Sequence, residues 1–323
     1  MATTYCITGG GGNLALQLSA QLVADGQRVV LIDIADRPDP DLIAGCEYVR
    51  VDLTQPEEVD ATLGRCKPDT VIHLASLLSG QSEQDRAQAW KVNATASFDL
   101  FEAALRHDVS TFFFTSTVAV YGGPLPDQLA EDQPQWPEGL YGAGKVAVER
   151  LGHYYHKRHG LDFRCVRMPL VISRYAHAGA SSAYASMAFI ETVATGSYTF
   201  KVKPHTRVAA IYILDALAAI RGLIDAPAAK LSRRVYTIQA ISPTAQQIAD
   251  VITTLHEGAR IRFEPDTELC RLVDTWPQSI EDTTARRDWN WNAQYDLETM
   301  ARHFIEELRR ESTDARRLPT AGR

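Results

Sequence analysis

The chain has 323 residues, 45% hydrophobic, 23% charged and 8% aromatic. These proportions exclude collagen-like, low-complexity and wholly disordered chains, and the length is enough to bury a core without disulfide or metal staples. A formal net charge of −7 leaves no basic footprint for nucleic acid. The five scattered cysteines (Cys6, Cys46, Cys66, Cys165, Cys270) include no Cys-x-x-Cys pair, which predicts reduced thiols in a cytoplasmic protein. Residues 1–8 run straight into a strand-like segment, so no signal peptide is expected. The longest apolar stretch, 208–220, is short for a membrane span and carries Asp215.

The first half alternates short apolar runs with helix-periodic segments, the pattern of a parallel sheet with crossover helices. Strands are predicted over 4–8, 28–33, 47–51 and 70–75, with helices over 13–25 and 57–65 between them. A long helix is predicted over 84–106, with Trp90, Phe98, Phe101 and Leu105 on one face. Next come a strand over 111–115, a loop over 123–139 holding four prolines, a helix over 140–159 and a strand over 163–168. Beyond Met168 the alternation weakens. Residues 174–186 are rich in Ala, Ser and Gly, and a helix follows to about 195. Short strands at 208–213 and 235–238 flank a helix over 215–225. A helix over 244–256, a strand over 260–263 and a helix from 297 to 311 close the pattern, and 313–323 reads as a flexible tail. The expected fold is α/β: a doubly wound parallel sheet over 1–168 and 208–242, with a small α/β C-terminal lobe over 169–207 and 243–312.

Between the first strand and the first helix stands Thr8-Gly9-Gly10-Gly11-Gly12-Asn13-Leu14-Ala15. Glycine lets the backbone turn tightly and approach a pyrophosphate, while the helix N-terminus supplies N–H donors and the positive end of its dipole. Asp33 ends the second strand, where a carboxylate accepts hydrogen bonds from an adenosine ribose and repels a 2′-phosphate. Strand, glycine turn, helix and strand-ending acid together predict a site for NAD rather than NADP. The usual final glycine is Ala15, still small enough for close helix–strand packing.

Tyr141 and Lys145 are four residues apart at the start of the 140–159 helix, so phenol and ammonium share one face. They lie at the carboxyl edge of the predicted sheet, where α/β proteins bind ligands. A neighbouring ammonium favours the phenolate, which can take the proton of a substrate hydroxyl while hydride departs to a nicotinamide. Ser116 and Thr117, expected just beyond the 111–115 strand, are placed to hydrogen-bond the same substrate oxygen.

These segments resemble the extended short-chain dehydrogenase/reductase superfamily, in the expected order and over nearly the whole chain. The resemblance rests on Thr8-Gly9-x-x-Gly12, Asp33, Asp52-Leu53, Val71-Ile72-His73-Leu74-Ala75, Val92-Asn93, Thr115-Ser116-Thr117-x-x-Val120-Tyr121-Gly122 and Tyr141-x-x-x-Lys145. It implies a Rossmann fold in which Asp52 and Leu53 flank the adenine and Leu74, Ala75 and Ser76 line the cofactor. Asn93 then supports the active site, Thr117 is the catalytic Ser/Thr, Tyr141 the acid/base, and Lys145 grips the nicotinamide ribose. Further cofactor contacts are implied for Asn13, Leu14, Ile34, Thr115, Met168 and Pro169.

Within the superfamily several segments are similar to the short-chain type of L-threonine 3-dehydrogenase. They are His73 through Ser79, Arg167 through Ser173, Thr206 through Asp215, and above all Asp274-Thr275-Trp276-Pro277-Gln278-Ser279-Ile280-Glu281-Asp282 with Ala285-Arg286-Arg287-Asp288-Trp289-x-Trp291. This implies NAD-dependent oxidation of the secondary alcohol of a small β-hydroxy acid or amino acid, with Ser79, Thr117, Tyr141, Ser181, Ser182, Thr206 and Trp276 at the substrate. Two departures stand out. The family's Gly-Thr-Thr-Asp-Tyr loop is here Ala180-Ser181-Ser182-Ala183-Tyr184, so the acid is gone, and its Leu-Pro-Met-Met segment is Val208-Ala209-Ala210-Ile211. A buried substrate ammonium without a counter-charge is costly, which sets threonine itself against a hydroxy acid lacking the amine.

Two rival readings share these motifs. A nucleotide-sugar 4-epimerase uses the same catalytic residues, although Thr206-Arg207-Val208-Ala209-Ala210 stands where such enzymes carry an Arg-Asp-Tyr-type segment. A non-catalytic NAD sensor would typically have lost the Tyr or the Lys. No metal site is expected, because His153, His156 and His159 spread around their helix instead of converging on one point. His73 reads as a hydrogen-bonded structural residue, Trp276, Trp289 and Trp291 as packing in the C-terminal lobe with Trp276 alternatively a wall of the pocket, and the arginines 302, 309, 310, 316 and 317 as a helix end without function. The helices 84–106 and 140–159 carry apolar faces beyond what one sheet face covers, and the superfamily commonly pairs them in a four-helix bundle. A homodimer acting on a small molecule, away from nucleic acid and membrane, is therefore expected.

Overall fold

The computed structural model describes residues 2–36, 38–123, 125–176 and 180–317. Its strands are β1 (Thr4–Thr8), β2 (Arg28–Asp33), β3 (Glu47–Arg50), β4 (Thr70–His73), β5 (Thr111–Thr117), β6 (Gln128–Leu129), β7 (Asp162–Met168), β8 (Leu170–Ile172), β9 (Ser197–Phe200), β10 (Ala210–Tyr212), β11 (Val235–Thr237), β12 (Arg260–Phe263) and β13 (Ser279–Ile280). Its α-helices are α1 (Asn13–Ala24), α2 (Pro56–Cys66), α3 (Ser79–Gln84), α4 (Arg86–Trp90), α5 (Ala96–Arg106), α6 (Leu140–His159), α7 (Tyr184–Thr195), α8 (Ile213–Asp225), α9 (Ala245–Leu255), α10 (Thr267–Val273), α11 (Thr283–Trp289) and α12 (Leu297–Arg317).

Seven strands form one parallel sheet in the order β11-β7-β5-β4-β1-β2-β3. The chain winds outward from β1 to β3 and then returns to lay β4 on the other side of β1. That reversal opens a crevice above the carboxyl ends of β1 and β4, where α/β sheets bind ligands. The central strands are buried on both faces, hence their continuous apolar runs, such as Val29 to Ile32 and Phe112 to Phe114. One face is covered by α1 and α8 and the other by α2, α5 and α6. A second core, built from α7, α9, α12 and β10 with Phe189, Phe200, Tyr212 and Phe304, forms the C-terminal lobe.

The helix predicted over 84–106 is not one helix. It is α3, α4, a π-turn over Lys91–Thr95, and α5. Asp85 interrupts it by accepting the Gln88 N–H at 3.0 Å as the cap of α4. The π-turn adds a residue and shifts the phase, so the expected face divides. Phe101 is buried in the core, while Trp90 and Phe98 are exposed. Strand β5 runs two residues longer than predicted, to Thr117, which matters for Ser116 below. The short β6 and β13, unforeseen in the sequence, pair in parallel and tie the 123–139 connection to the segment after Trp276. The tail expected over 313–323 falls partly on α12 and, from 318 on, outside the described residues, as do 177–179 of the Ala/Ser/Gly-rich stretch. Among the described residues no helix is long and apolar enough to cross a membrane.

Candidate active site

The glycine turn sits at the crevice. Gly9 has φ +69°, and a Cβ there would lie 2.9 Å from the Ala75 backbone nitrogen. Only glycine lets the loop press this closely on the end of β4. Gly10 N–H donates to the Ile32 carbonyl at 3.0 Å and Gly12 N–H to the Gly9 carbonyl at 2.9 Å, after which Asn13 and Leu14 open α1. Asp33 faces the turn, its Oδ2 accepting the Gly11 N–H at 2.9 Å and its Oδ1 the Ala35 N–H at 3.0 Å. Ile34 beside it is exposed. Just beyond β3, Asp52 accepts the N–H and hydroxyl of Thr54 at 2.9 and 2.8 Å, and Leu53 is buried next to it.

A buried relay braces this edge. Thr8 Oγ1 accepts the N–H groups of Leu74 and Ala75, both at 3.1 Å, so its proton points to His73 Nδ1 at 2.7 Å. His73 Nε2 then donates to Ser97 Oγ at 2.9 Å, and Ser97 donates to the Asn93 carbonyl at 2.9 Å. Burial, with Lys145 nearby, draws the imidazole down to about 3, so His73 is neutral and structural as the sequence predicted. The Asn93 side chain, lifted by the π-turn, accepts the Leu77 N–H at 2.8 Å and the Ser76 hydroxyl at 3.1 Å and donates to the Leu77 carbonyl at 2.9 Å. One asparagine thus fixes the whole strand-to-helix connection after β4.

At the carboxyl end of β5, α6 begins. Lys145 is buried; its Nζ donates to the Thr115 carbonyl at 2.8 Å and lies 4.5 Å from the Phe114 ring centre and 5.5 Å from that of Tyr141. Burial draws Lys145 down to about 8, opposed by Cys165 and Glu149, and pushes the half-buried Tyr141 phenol up to about 12. Desolvation therefore outweighs the expected help from the ammonium in the free protein. Thr117 Oγ1 accepts the Ala119 N–H at 3.2 Å, which turns the chain after β5. The Thr115 hydroxyl is buried without a partner. Met168 and Pro169, at the end of β7, are buried.

Ser116 does not join this group. Because β5 continues through it, strand alternation turns its side chain to the α6 face, where its hydroxyl donates to Glu149 Oε1 at 2.6 Å. It is buried and engaged, not aimed at a substrate oxygen. Of the residues expected at the substrate, Ser79 and Ser182 are exposed and Ser181 is half-buried on the turn before α7. Thr206 is buried with its hydroxyl unpaired, and Trp276 packs against the second core. None of these five hydrogen-bonds Tyr141, Lys145 or Thr117. The sequence reading missed the ion pair of Glu149 with Arg167 behind α6, at 2.7 Å. A buried charged pair leaves no sequence signal beyond two ordinary charged letters.

Comparison with known proteins agrees with this geometry. Residues 5–238 match the model of the NAD dependent epimerase/dehydratase family. The chain is 32% identical over 295 residues to mitochondrial L-threonine 3-dehydrogenase of Bos taurus, covering 90% of this chain and 79% of that one. Among solved structures, L-threonine dehydrogenase from Clostridium difficile is similar with a TM-score of 0.90 and 30% identity, over 96% of this chain and 98% of that one. The holo form of the GalE-like L-threonine dehydrogenase from Cupriavidus necator is similar with a TM-score of 0.88 and 30% identity, over 94% and 99%.

Proposed function

The chain belongs to the NAD-dependent epimerase/dehydratase family, and from that premise we propose that it is an NAD-dependent dehydrogenase oxidising the secondary alcohol of a small β-hydroxy acid or amino acid. The observation that carries the reading is Lys145 anchored on the Thr115 carbonyl at 2.8 Å with its Nζ 5.5 Å from the Tyr141 ring, at the carboxyl edge of β5. The residues fit the dinucleotide. A Cβ at Gly9 would come within 3 Å of the Ala75 backbone and one at Gly10 within 3 Å of Leu31, so only glycines let the turn lie this close to β4 and β2, with the N-terminus of α1 presented where a pyrophosphate approaches. Asp33 offers ribose hydroxyls a carboxylate, favouring NAD over NADP, and the unpaired Thr115 hydroxyl leaves a polar group free for a ligand.

When bound, NAD supplies the hydride acceptor. Once its own proton has left to solvent, Tyr141 Oη, as the phenolate, takes the proton of the substrate hydroxyl, and Thr117 Oγ1 hydrogen-bonds the same oxygen to orient it. Lys145 holds positive charge beside the phenol and lowers the cost of the phenolate. Asn93 keeps the β4 connection closed around the site. The similarity to threonine dehydrogenases supports the substrate class, and the arrangement of Thr117, Tyr141 and Lys145 supports the chemistry. We also propose a cytoplasmic homodimer joined through α4, α5 and α6, supported by the exposed Trp90, Phe98 and Tyr154 on those helices; a monomeric mass at micromolar concentration contradicts the dimer.

The test is Tyr141→Phe, assayed by NADH absorbance against a panel of hydroxy acids, amino acids and nucleotide sugars. Loss of the acid/base lowers kcat by about 10²-fold or more while NADH affinity stays near wild type. A variant turning over like wild type refutes the mechanism. Turnover of nucleotide sugars without added NAD refutes the dehydrogenase reading in favour of an epimerase.

A further inference from the structure

Behind α6 lies a buried polar cluster to which the proposed chemistry gives no role. Glu149 follows Lys145 by one helical turn and Tyr141 by two, and its side chain has no exposure. Its Oε1 accepts from Ser116 Oγ at 2.6 Å and Arg167 Nε at 2.9 Å. Its Oε2 accepts from Arg167 Nη2 at 2.7 Å and Gln135 Nε2 at 2.7 Å. Arg167 Nη1 completes the set by donating to the Tyr121 hydroxyl at 2.6 Å. Burial works against the Arg167 charge, but Glu149 more than offsets it and raises that guanidinium above its ordinary value.

A buried ion pair adds little net stability compared with apolar packing, so its position is the informative feature. Ser116 stands between Thr115, whose carbonyl holds Lys145, and Thr117. Arg167 directly precedes Met168 on β7. Gln135 belongs to the connection that leads into Tyr141. One carboxylate therefore clasps each element that carries a residue of the proposed reaction centre at this end of the sheet. Cys165 on β7 and Glu149 on its own helix act on Lys145, Lys145 acts in turn on His73 of β4, Tyr141 lies beside it, and Arg167 on β7 is the cation paired with Glu149. His73 is neutral, and burial keeps the Tyr141 phenol and the Cys165 thiol protonated at neutral pH. Glu149 is thus the anion of that set.

We propose that Glu149 is a positioning residue: by binding Ser116, Arg167 and Gln135 together it fixes α6 on β5 and β7, and its negative charge, paired with Arg167 one helical turn from Lys145, favours the Lys145 ammonium. The inference rests on the role given to Lys145 in the proposed function, that of a cation beside the phenol, together with the grip on the nicotinamide ribose that the family resemblance implies for it.

The experiment is NADH binding by the full chain, followed by nicotinamide fluorescence across neutral and alkaline pH, beside kcat at neutral pH. Wild-type affinity falls as Lys145 loses its proton, around 8. In Glu149→Gln the buried anion is gone, a proton leaves Lys145 more easily, and the limb moves down by about one pH unit or more. A cluster that merely kept the fold intact predicts the opposite: looser packing admits water and moves the limb up toward the ordinary lysine value. Glu149→Asp restores the charge but not the reach, so the limb returns while kcat stays about tenfold low. Ser116→Ala keeps every charge and frees one oxygen from β5; it lowers kcat by about three- to tenfold with NADH affinity unchanged. A limb in Glu149→Gln that stays in place or rises overturns the proposal. If that variant does not fold, wild-type kcat in Ser116→Ala overturns it. A flat wild-type curve refutes the reading of Lys145 itself and the inference with it, whereas a wild-type limb that the variant leaves unmoved refutes the inference alone.

Discussion

Gly142, the residue after Tyr141, offers a way to move the phenol proposed as acid/base without altering a single proposed reacting group. A Cβ at this position would lie 2.0 Å from the Ala119 carbonyl oxygen, 2.9 Å from its carbon and 2.8 Å from Pro137 Cβ. The obstructing oxygen is backbone, and Ala119 is held by the Thr117 hydroxyl at 3.2 Å, so it cannot swing aside as a side chain would. Relief requires the start of α6 to retreat by about 1 Å, and Tyr141 travels with it, away from Thr117. A displacement of about 1 Å at a reacting centre costs about 10²-fold in rate, or about 2.7 kcal/mol of barrier. Gly142→Ala should therefore lower kcat by about 10²-fold while the glycine turn, on another strand, keeps NADH affinity within about threefold. Gly144→Ala is the control: its nearest neighbour is Asn93 Cβ at 3.4 Å, an ordinary contact. Stopped assays of kcat and fluorescence titration of NADH on both variants separate the two outcomes. A Gly142→Ala enzyme with wild-type kcat, correctly folded by circular dichroism, refutes the claim that this helix start sets the geometry.

Asp33→Ala removes the carboxylate that faces the glycine turn, so NADH affinity should fall by about tenfold and the preference over NADPH should narrow, as read by paired titrations; a wild type that already prefers NADPH contradicts the role of Asp33. His73 is held neutral with its pKa at about 3, below its unfolded value of 6.5. Its contribution is therefore complete above 6.5 and lost as pH falls toward 3, at about 1.4 kcal/mol per pH unit in urea denaturation. In His73→Asn that acid slope should shrink by the same amount, and an unchanged slope sinks the assignment.

Much of the fold was legible because buried parallel strands write continuous apolar runs. The strands β1, β2 and β12 and the helix α6 have the boundaries read from the sequence. The broken helix was not legible. Its π-turn carries Asn93, whose amide satisfies the backbone of Leu77, a contact between segments that no local periodicity encodes. The two-residue β6 and β13 likewise owe their form to each other rather than to propensity. At the candidate site, the places of Gly9, Asp33, Tyr141 and Lys145 were readable because each is bound to a fixed point in the strand–helix order. Ser116 was misread because β5 continues through it, so strand alternation sets its side chain on the α6 face instead of at the open end of the sheet. The strand's length, not its composition, decides between substrate contact and a buried bond to Glu149.

The substrate question turns on Ala183. It is buried, on the 3₁₀ turn Ser181–Ala183 that leads into α7, with its N–H donating to the Ala180 carbonyl at 2.9 Å. An acid placed here, as in the threonine dehydrogenase loop, would be a carboxylate with little access to water, and such a group needs a cation or several donors to remain charged. In the free protein Ala183→Asp should therefore cost about 1–3 kcal/mol of stability, visible as a lower melting temperature. If this turn faces the substrate amine, L-threonine supplies the missing cation. Its addition should then raise the melting temperature of Ala183→Asp more than that of wild type, and kcat/KM for threonine should rise by up to ~3 kcal/mol in transition-state terms. The wild-type chain, lacking the acid, should favour a hydroxy acid without the amine, and the same substitution should impair that substrate by repulsion of its carboxylate. Efficient threonine oxidation by wild type, or equal thermal shifts in both proteins, shows that another group holds the ammonium and removes Ala183 from the specificity of this enzyme.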